Sequence, residues 1–311
     1  MELSVTLFII GAILLLISTQ VFIKLAERIS LSLKLSPLII GLTVVSIGTS
    51  LPELTVSTVA VFRGDVGLAM GNIIGSNIVN IFFVLGVGIL VGKLRVGTTK
   101  TQRNTYIMSG ITGLFLLFYF LGLSNMIAGG ILLILALLVT IDEYVWGVSG
   151  RKHEDARMYA NRKHGRFSQV DVGKLFVALV GIVTGGILTV TSVEQLSVLL
   201  RFSTTILGLS VTAIATSLPE LLTTIFSQKD REEKITIGNL IGSNIYNLAL
   251  IGGIVLLFSA WQAIVTYEIV ILILATLVFA AVLVAYKGRV IPKYIGILLL
   301  VLFCFYIYFL K

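Results

Sequence analysis

Two glutamates are the residues of this sequence best placed to do chemistry. Glu53 and Glu220 each close a TSLPE stretch, at 49–53 and 216–220, deep inside apolar runs that hold no Lys or Arg at comparable depth. A charged residue at mid-span costs roughly 2.5–3.5 kcal/mol on insertion scales, so each carboxylate calls for protonation or for a bound cation. Helical spacing gathers more oxygen beside them. Thr49 lies four residues and Ser50 three before Glu53, and Thr216 and Ser217 repeat that spacing before Glu220. Pro52 and Pro219 lack a backbone N–H, which predicts freed carbonyls one turn upstream, near Ser46 to Gly48 and Ala213 to Ala215. Such carbonyls are costly in lipid unless they line a cavity or hold an ion. Further along, Asn72, Ser76 and Asn80 recur every four residues, as do Asn239, Ser243 and Asn247.

Carboxylates, hydroxyls, amides and backbone carbonyls are hard oxygen donors. Without imidazole or thiolate beside them they suit Ca²⁺ or Na⁺ and argue against zinc or copper. Two facing carboxylates neutralise one divalent ion. Left empty they repel, so protons or several Na⁺ compete for the same space, and mutually exclusive occupancy is the physical basis of exchange. Enzyme chemistry has no comparable footing. His153-Glu154 opens like an HExxH zinc motif, but position 157 is Arg, and the sequence has no GxSxG or DDxxD pattern. No cofactor is called for, and Cys304, the only cysteine, cannot form an intrachain disulfide.

The elements that must hold these residues are membrane spans. Of 311 residues, 57% are hydrophobic and only 12% charged, about half the charge of an ordinary soluble domain. That excludes a cytosolic enzyme, a nucleic-acid binder and a disordered chain, and the net charge of +8 matters less than where the cations fall. Ten apolar segments are predicted near 5–23, 38–61, 67–91, 105–122, 126–146, 174–193, 204–227, 235–258, 264–286 and 291–310, all helical. The first has neither a basic lead nor a small-residue cleavage site, so it reads as a retained span. Alternate loops hold 20 of the 23 Lys and Arg, and the other side keeps only Arg63, Arg201 and Lys311. By the positive-inside rule the rich side is cytoplasmic and both termini face out. The long connection 147–173, with His153 and His164, reads as a solvated cytoplasmic linker between halves 1–146 and 174–311.

Those halves repeat each other. GLTVVSIGTSLPELTVSTVA (41–60) matches GLSVTAIATSLPELLTTIFS (208–227) at 10 of 20 positions, and GNIIGSNIVN (71–80) matches GNLIGSNIYN (238–247) at 8 of 10. Both pairs share an offset of 167 residues, so one five-span unit is duplicated. Five is odd, so the second copy enters from the opposite face, giving two inverted repeats related by a two-fold axis in the membrane plane. Gly71 with Gly75, and Gly238 with Gly242, form GxxxG faces suited to close helix packing.

GTSLPE at 48–53, ATSLPE at 215–220 and the paired GN(I/L)IGSNI(V/Y)N resemble the two α-repeats of the Ca²⁺/cation antiporter superfamily, most closely its prokaryotic sodium/calcium exchanger branch. The resemblance implies a fold of ten helices in which spans 2, 3, 7 and 8 enclose a central site, while sliding spans 1 and 6 alternate access. It implies Glu53 and Glu220 as bridging Ca²⁺ carboxylates, with backbone carbonyls from Thr49 and Thr216. Ser50, Ser76, Ser217 and Ser243, with the Ser46 and Ala213 carbonyls, would form flanking Na⁺ sites, and Asn80 and Asn247 would complete the centre. Some relatives, including K⁺-dependent exchangers, carry Asp where this chain has the neutral Asn247, which argues against K⁺ co-transport. The expected function is Na⁺/Ca²⁺ antiport in the cell membrane, with Ca²⁺ and Na⁺ as transported partners. H⁺/Ca²⁺ exchange by the same glutamates is the nearest alternative, and a passive cation channel is more distant.

Overall fold

The computed structural model is all-helical across the described residues, which are 2–32, 46–97, 99–121, 123, 125–149, 169–229, 233–259 and 266–310. Among them the only strand-like pairings are two isolated backbone bridges, Arg95 with Val290 and Val96 with Lys287. The beginning of the second expected span, 38–45, lies outside the described residues. So does most of the expected linker, including His153 and His164.

The chain opens with α1 (Glu2–Ser32), followed by the broken pair α2 (Ser46–Thr49) and α3 (Leu51–Phe62). Next come α4 (Val66–Val79), a π-helical turn (Asn80–Val84) and α5 (Leu85–Val91), then α6 (Thr99–Leu121) and α7 (Asn125–Ser149). The second half begins with α8 (Gln169–Leu200) and continues through α9 (Thr204–Leu207), a π turn (Gly208–Thr212), α10 (Ala213–Thr216) and α11 (Leu218–Lys229). It ends with α12 (Glu233–Tyr246), a third π turn (Asn247–Ile251), α13 (Gly252–Phe258), α14 (Thr266–Ala285) and α15 (Lys293–Phe309). Every element from α2 to α5 recurs 167 residues later with the same length. The sequence repeat is therefore a repeat of backbone geometry, π turn included.

Among the described residues, seven helical stretches are long and apolar enough to cross a membrane. Three expected spans are not among the seven. The second is described only from Ser46 and continues as the 12-residue α3, the tenth is the 17-residue α15, and the fourth is the 23-residue α6. Burial separates inner from outer helices: the stretch Val66–Val91 is 83% buried and Thr236–Phe258 78%, whereas Glu2–Leu25 and Asn125–Glu143 are 22% buried. The outer helices present Ile10, Ile13, Ile17, Ile134 and Leu138 outward, as a lipid-facing surface requires.

Close backbone contacts bring the inner helices together. A Cβ on Gly71 would lie 2.5 Å from the Thr205 carbonyl oxygen, and one on Gly75 2.6 Å from that of Leu209, so only glycine lets α4 meet the π turn after α9. On the same helix Asp65 caps the N-terminus, accepting from Leu68 N at 2.9 Å, and its Oδ1 also accepts from Thr204 Oγ1 at 2.9 Å. The outer pair α1 and α8 cross closely as well, with Gly11 and Gly185 each facing the other's carbonyl.

Candidate functional site

The prolines break their helices one turn before the glutamates. Ser50 and Ser217 sit between the two half-helices with φ/ψ of −84°/7° and −81°/6°, short of helical ψ. Pro52 and Pro219 offer no N–H to residues 48 and 215, four positions earlier. The Ser46 and Ala213 carbonyls, expected to be freed, are instead engaged. Ser46 O accepts from Ser50 N at 3.3 Å and Thr49 Oγ1 at 3.2 Å, and Ala213 O accepts from Ser217 N at 3.0 Å and Thr216 Oγ1 at 3.3 Å. The missing proline N–H acts on the carbonyl four residues back, so Gly48 and Ala215 are the positions it deprives.

Each broken helix packs against the Asn/Ser helix of the other half, α2 on α12 and α10 on α4. The hydrogen bonds cross in the same way. Thr49 Oγ1 donates to Asn239 Oδ1 at 3.2 Å and lies 3.3 Å from Ser243 Oγ. Thr216 Oγ1 donates to Asn72 Oδ1 at 3.1 Å and lies 3.4 Å from Ser76 Oγ. Ser217 Oγ donates to Glu53 Oε1 at 3.2 Å, while Glu220 Oε1 accepts from Ser50 Oγ at 3.4 Å and Ser243 Oγ at 3.0 Å.

All twelve residues singled out in the sequence are buried: Ser46, Thr49, Ser50, Glu53, Ser76, Asn80, Ala213, Thr216, Ser217, Glu220, Ser243 and Asn247. Eight of them, the two Thr, the two Glu and four of the Ser, are joined across the halves by the bonds just described. Asn80 and Asn247 each begin a π turn, where Leu85 N donates back five residues to Asn80 O and Gly252 N to Asn247 O. The Asn80 turn packs on α11 and α12, the Asn247 turn on α3 and α4.

What the site leaves unpaired defines its chemistry. Glu53 Oε2, Glu220 Oε2, and the Oδ1 and Nδ2 of both Asn80 and Asn247 are buried without a hydrogen-bond partner, as is Ser46 Oγ. Buried polar atoms are normally paired, and a buried charge needs a counter-charge. No described Lys or Arg forms an ion pair with either glutamate. The donor set offers two carboxylate oxygens and two amide oxygens, which are hard ligands.

The sodium/calcium exchanger protein family model matches residues 3–147 and 171–311. The chain belongs to that family. It is therefore a membrane protein that transports cations by antiport rather than an enzyme. It is 28% identical over 288 residues to the sodium/calcium exchanger MaX1 of Methanosarcina acetivorans, covering 81% of this chain and 82% of the relative. It is 30% identical over 257 residues to the putative antiporter CaxA of Alkalimonas amylolytica, covering 80% and 79%. A solved structure of the sodium-calcium exchanger NCX_Mj, soaked with Na⁺ and without Ca²⁺, matches with a TM-score of 0.69 at 28% identity, covering 100% of this chain and 99% of that one.

Within this exchanger family chain, two participants were not among the expected ligands. Asn72 and Asn239 accept the threonine hydroxyls of the opposite half, and Asn72 Nδ2 also donates to Ser57 Oγ at 3.0 Å. Their signal in the sequence was the four-residue spacing to Ser76 and Ser243. The neighbouring Asn77 and Asn244 turn away and bond the Ile73 and Leu240 carbonyls of their own helices.

Proposed function

We propose that this chain exchanges Na⁺ for Ca²⁺ across the cell membrane by alternating access at a central site between spans 2, 3, 7 and 8. In this reading ten spans form two inverted five-helix repeats, 1–146 and 174–311, joined by the cytoplasmic linker 147–173, with both termini outside. Support comes from the 167-residue recurrence of α2 to α5 and from the crossed hydrogen bonds, which exchange partners between halves as a two-fold axis demands. The 20-to-3 split of Lys and Arg supports the orientation.

The observation that carries the reading is the set of unpaired buried oxygens. Ca²⁺ is held by Glu53 Oε2 and Glu220 Oε2, whose two charges match its own, with the Thr49 and Thr216 carbonyls added. Na⁺ ions occupy the flanks, held by Ser50, Ser76, Ser217 and Ser243 and by the Ser46 and Ala213 carbonyls once the Thr49 and Thr216 hydroxyls turn off them. Asn80 and Asn247 complete the centre without adding charge. Ca²⁺ and several Na⁺ draw on the same oxygens, so one species leaves before the other binds. The α1–α8 pair, mostly lipid-facing and in glycine contact, is the element that slides to change access.

Proteoliposomes loaded with Ca²⁺ and given an inward Na⁺ gradient at equal pH test this directly. Na⁺-dependent Ca²⁺ release is expected, with K⁺ unable to replace Na⁺. Release driven by a pH gradient alone, and indifferent to Na⁺, would replace the reading with H⁺/Ca²⁺ exchange. Flux that never saturates with Ca²⁺ would mean a channel.

A further inference from the structure

The loop after α5 and the loop before α15 are joined by their backbones. Val96 N donates to Arg289 O at 2.9 Å, Gly288 N to Val96 O at 3.1 Å and Ile291 N to Leu94 O at 2.9 Å. Leu94, Val96 and Ile291 point inward and are buried, while Lys93, Arg95, Lys287, Arg289 and Lys293 are exposed. Five cations thus stand on one backbone-paired ribbon. No acidic residue occurs in 91–100 or 285–295. Among the described residues Lys93, Lys287, Arg289 and Lys293 make no ion pair, whereas nearby Lys100 and Arg103 are engaged by Glu143 and Asp142.

The ribbon lies within a few residues of the ends of α5, α14 and α15, which puts it at headgroup depth. Tyr286 and Tyr294 flank it with their hydroxyls 2.9 Å apart, as interfacial aromatics do. The repeat supplies an internal control. The equivalent connections 167 residues away are 120–126 and 260–264, and they contain no charged residue. There Asn125 Nδ2 donates to the carbonyl of Ser259, which ends α13, with no cation involved. The charges are therefore not something both copies of the repeat carry. Orienting the protein needs cations on this side but not their fixation on one paired platform.

We propose that the Lys93–Gly97/Lys287–Lys293 ribbon is a binding site for the headgroup of an anionic membrane lipid. The headgroup phosphate sits among Lys93, Lys287, Arg289 and Lys293, which make no ion pair among the described residues, and the acyl chains run down the outer faces of α14 and α15. The proposal rests on the membrane reading and is independent of which ions are exchanged.

The test uses the purified full chain in mixed micelles of equimolar phosphatidylglycerol and phosphatidylcholine, with retained lipids counted by native mass spectrometry. Each surface cation is worth about fivefold in anionic-lipid binding, so wild type should retain the anionic lipid at least about fivefold over the zwitterionic one. The variant K93Q/R95Q/K287Q/R289Q/K293Q should lose that preference, and K24Q/K174Q, altered at exposed cations on α1 and α8, should keep it. Equal retention of both lipids by wild type overturns the site. So does an unchanged preference in the five-site variant, an equal loss in K24Q/K174Q, or displacement of the lipid by millimolar inorganic phosphate. Should the five-site variant fail to insert, R95Q/R289Q serves instead, and an undiminished preference there has the same consequence.

Discussion

Glu220→Gln separates stability from function at this site. Glu220 Oε1 accepts hydrogen bonds from Ser50 and Ser243, and the amide oxygen of glutamine can keep both. The change falls on Oε2, which is buried and unpaired. A unit charge pair 4 Å apart is worth about 4 kcal/mol at an effective dielectric constant near 20, so one carboxylate attracts a divalent ion by about 8 kcal/mol. Discounting about half for dehydration leaves about 4 kcal/mol, close to a thousandfold in Kd. Folding should respond in the opposite sense. No described basic residue pairs with Glu220, so its neutral isostere removes a buried charge or replaces a neutral acid, and the cation-free variant should melt no lower than wild type. The assay is a thermal melt with and without Ca²⁺, followed by Ca²⁺ uptake into proteoliposomes. Wild type should gain stability with Ca²⁺ as RT ln(1 + [Ca²⁺]/Kd), and the variant should gain none at the same concentrations. Ca²⁺ stabilisation and uptake that survive at wild-type Ca²⁺ would refute the assignment. A cation-free melt several degrees below wild type would refute the account of the buried charge.

Further substitutions probe the surroundings. Ser217→Ala removes the hydroxyl that bonds Glu53 Oε1 at 3.2 Å; a bond to a charged group is worth about 1.5–3 kcal/mol, so Ca²⁺-dependent uptake should shift about tenfold or more in half-saturation. Ser50→Ala should cost less, because Ser243 still donates to Glu220 at the shorter distance of 3.0 Å. Gly71→Leu forces a side chain into the Thr205 carbonyl and should abolish folded protein on size-exclusion chromatography, whereas Gly130→Leu, with nothing within 4 Å, should express normally. Glu143→Ala takes the carboxylate from Asn104 Nδ2 and Lys100 Nζ, both within 3.0 Å of it, while Arg103 keeps its pair with Asp142. It should lower the melting temperature by a few degrees, about 1–3 kcal/mol, and leave the Ca²⁺ dependence of uptake unchanged.

The glutamates were legible in the sequence because a carboxylate inside an apolar run violates composition so strongly that few readings survive. The repeat was legible for a different reason: Glu53 and Glu220 share their flanking TSLP, so each copy checks the other. The three π turns left no mark. No residue type codes for a bond five residues back, and the described π turns begin at residues as unlike as Asn80 and Gly208. The proline argument was right about the break and too broad about the carbonyls: Gly48 and Ala215 lose the proline N–H, whereas Ser46 O and Ala213 O keep the Ser50 and Ser217 N–H and gain a threonine hydroxyl. Asn72 and Asn239 were visible as members of a spacing, but their partners lie across the halves, which sequence spacing cannot reach.

The crossed pattern explains how two copies of one motif make a single site. Had Thr49 and Thr216 bonded only to the Ser46 and Ala213 carbonyls of their own halves, fewer bonds would cross between the repeats. Instead Thr49 reaches Asn239 and Thr216 reaches Asn72, while Ser217 holds Glu53 and Ser50 holds Glu220. Each carboxylate is thereby oriented through Oε1 by a donor from the opposite repeat, with Oε2 left bare. On the proposed reading a cation arriving at the bare oxygens would find them already aimed, so little ordering entropy would be spent on binding. Its departure would restore the repulsion between the two acids and favour the next ion.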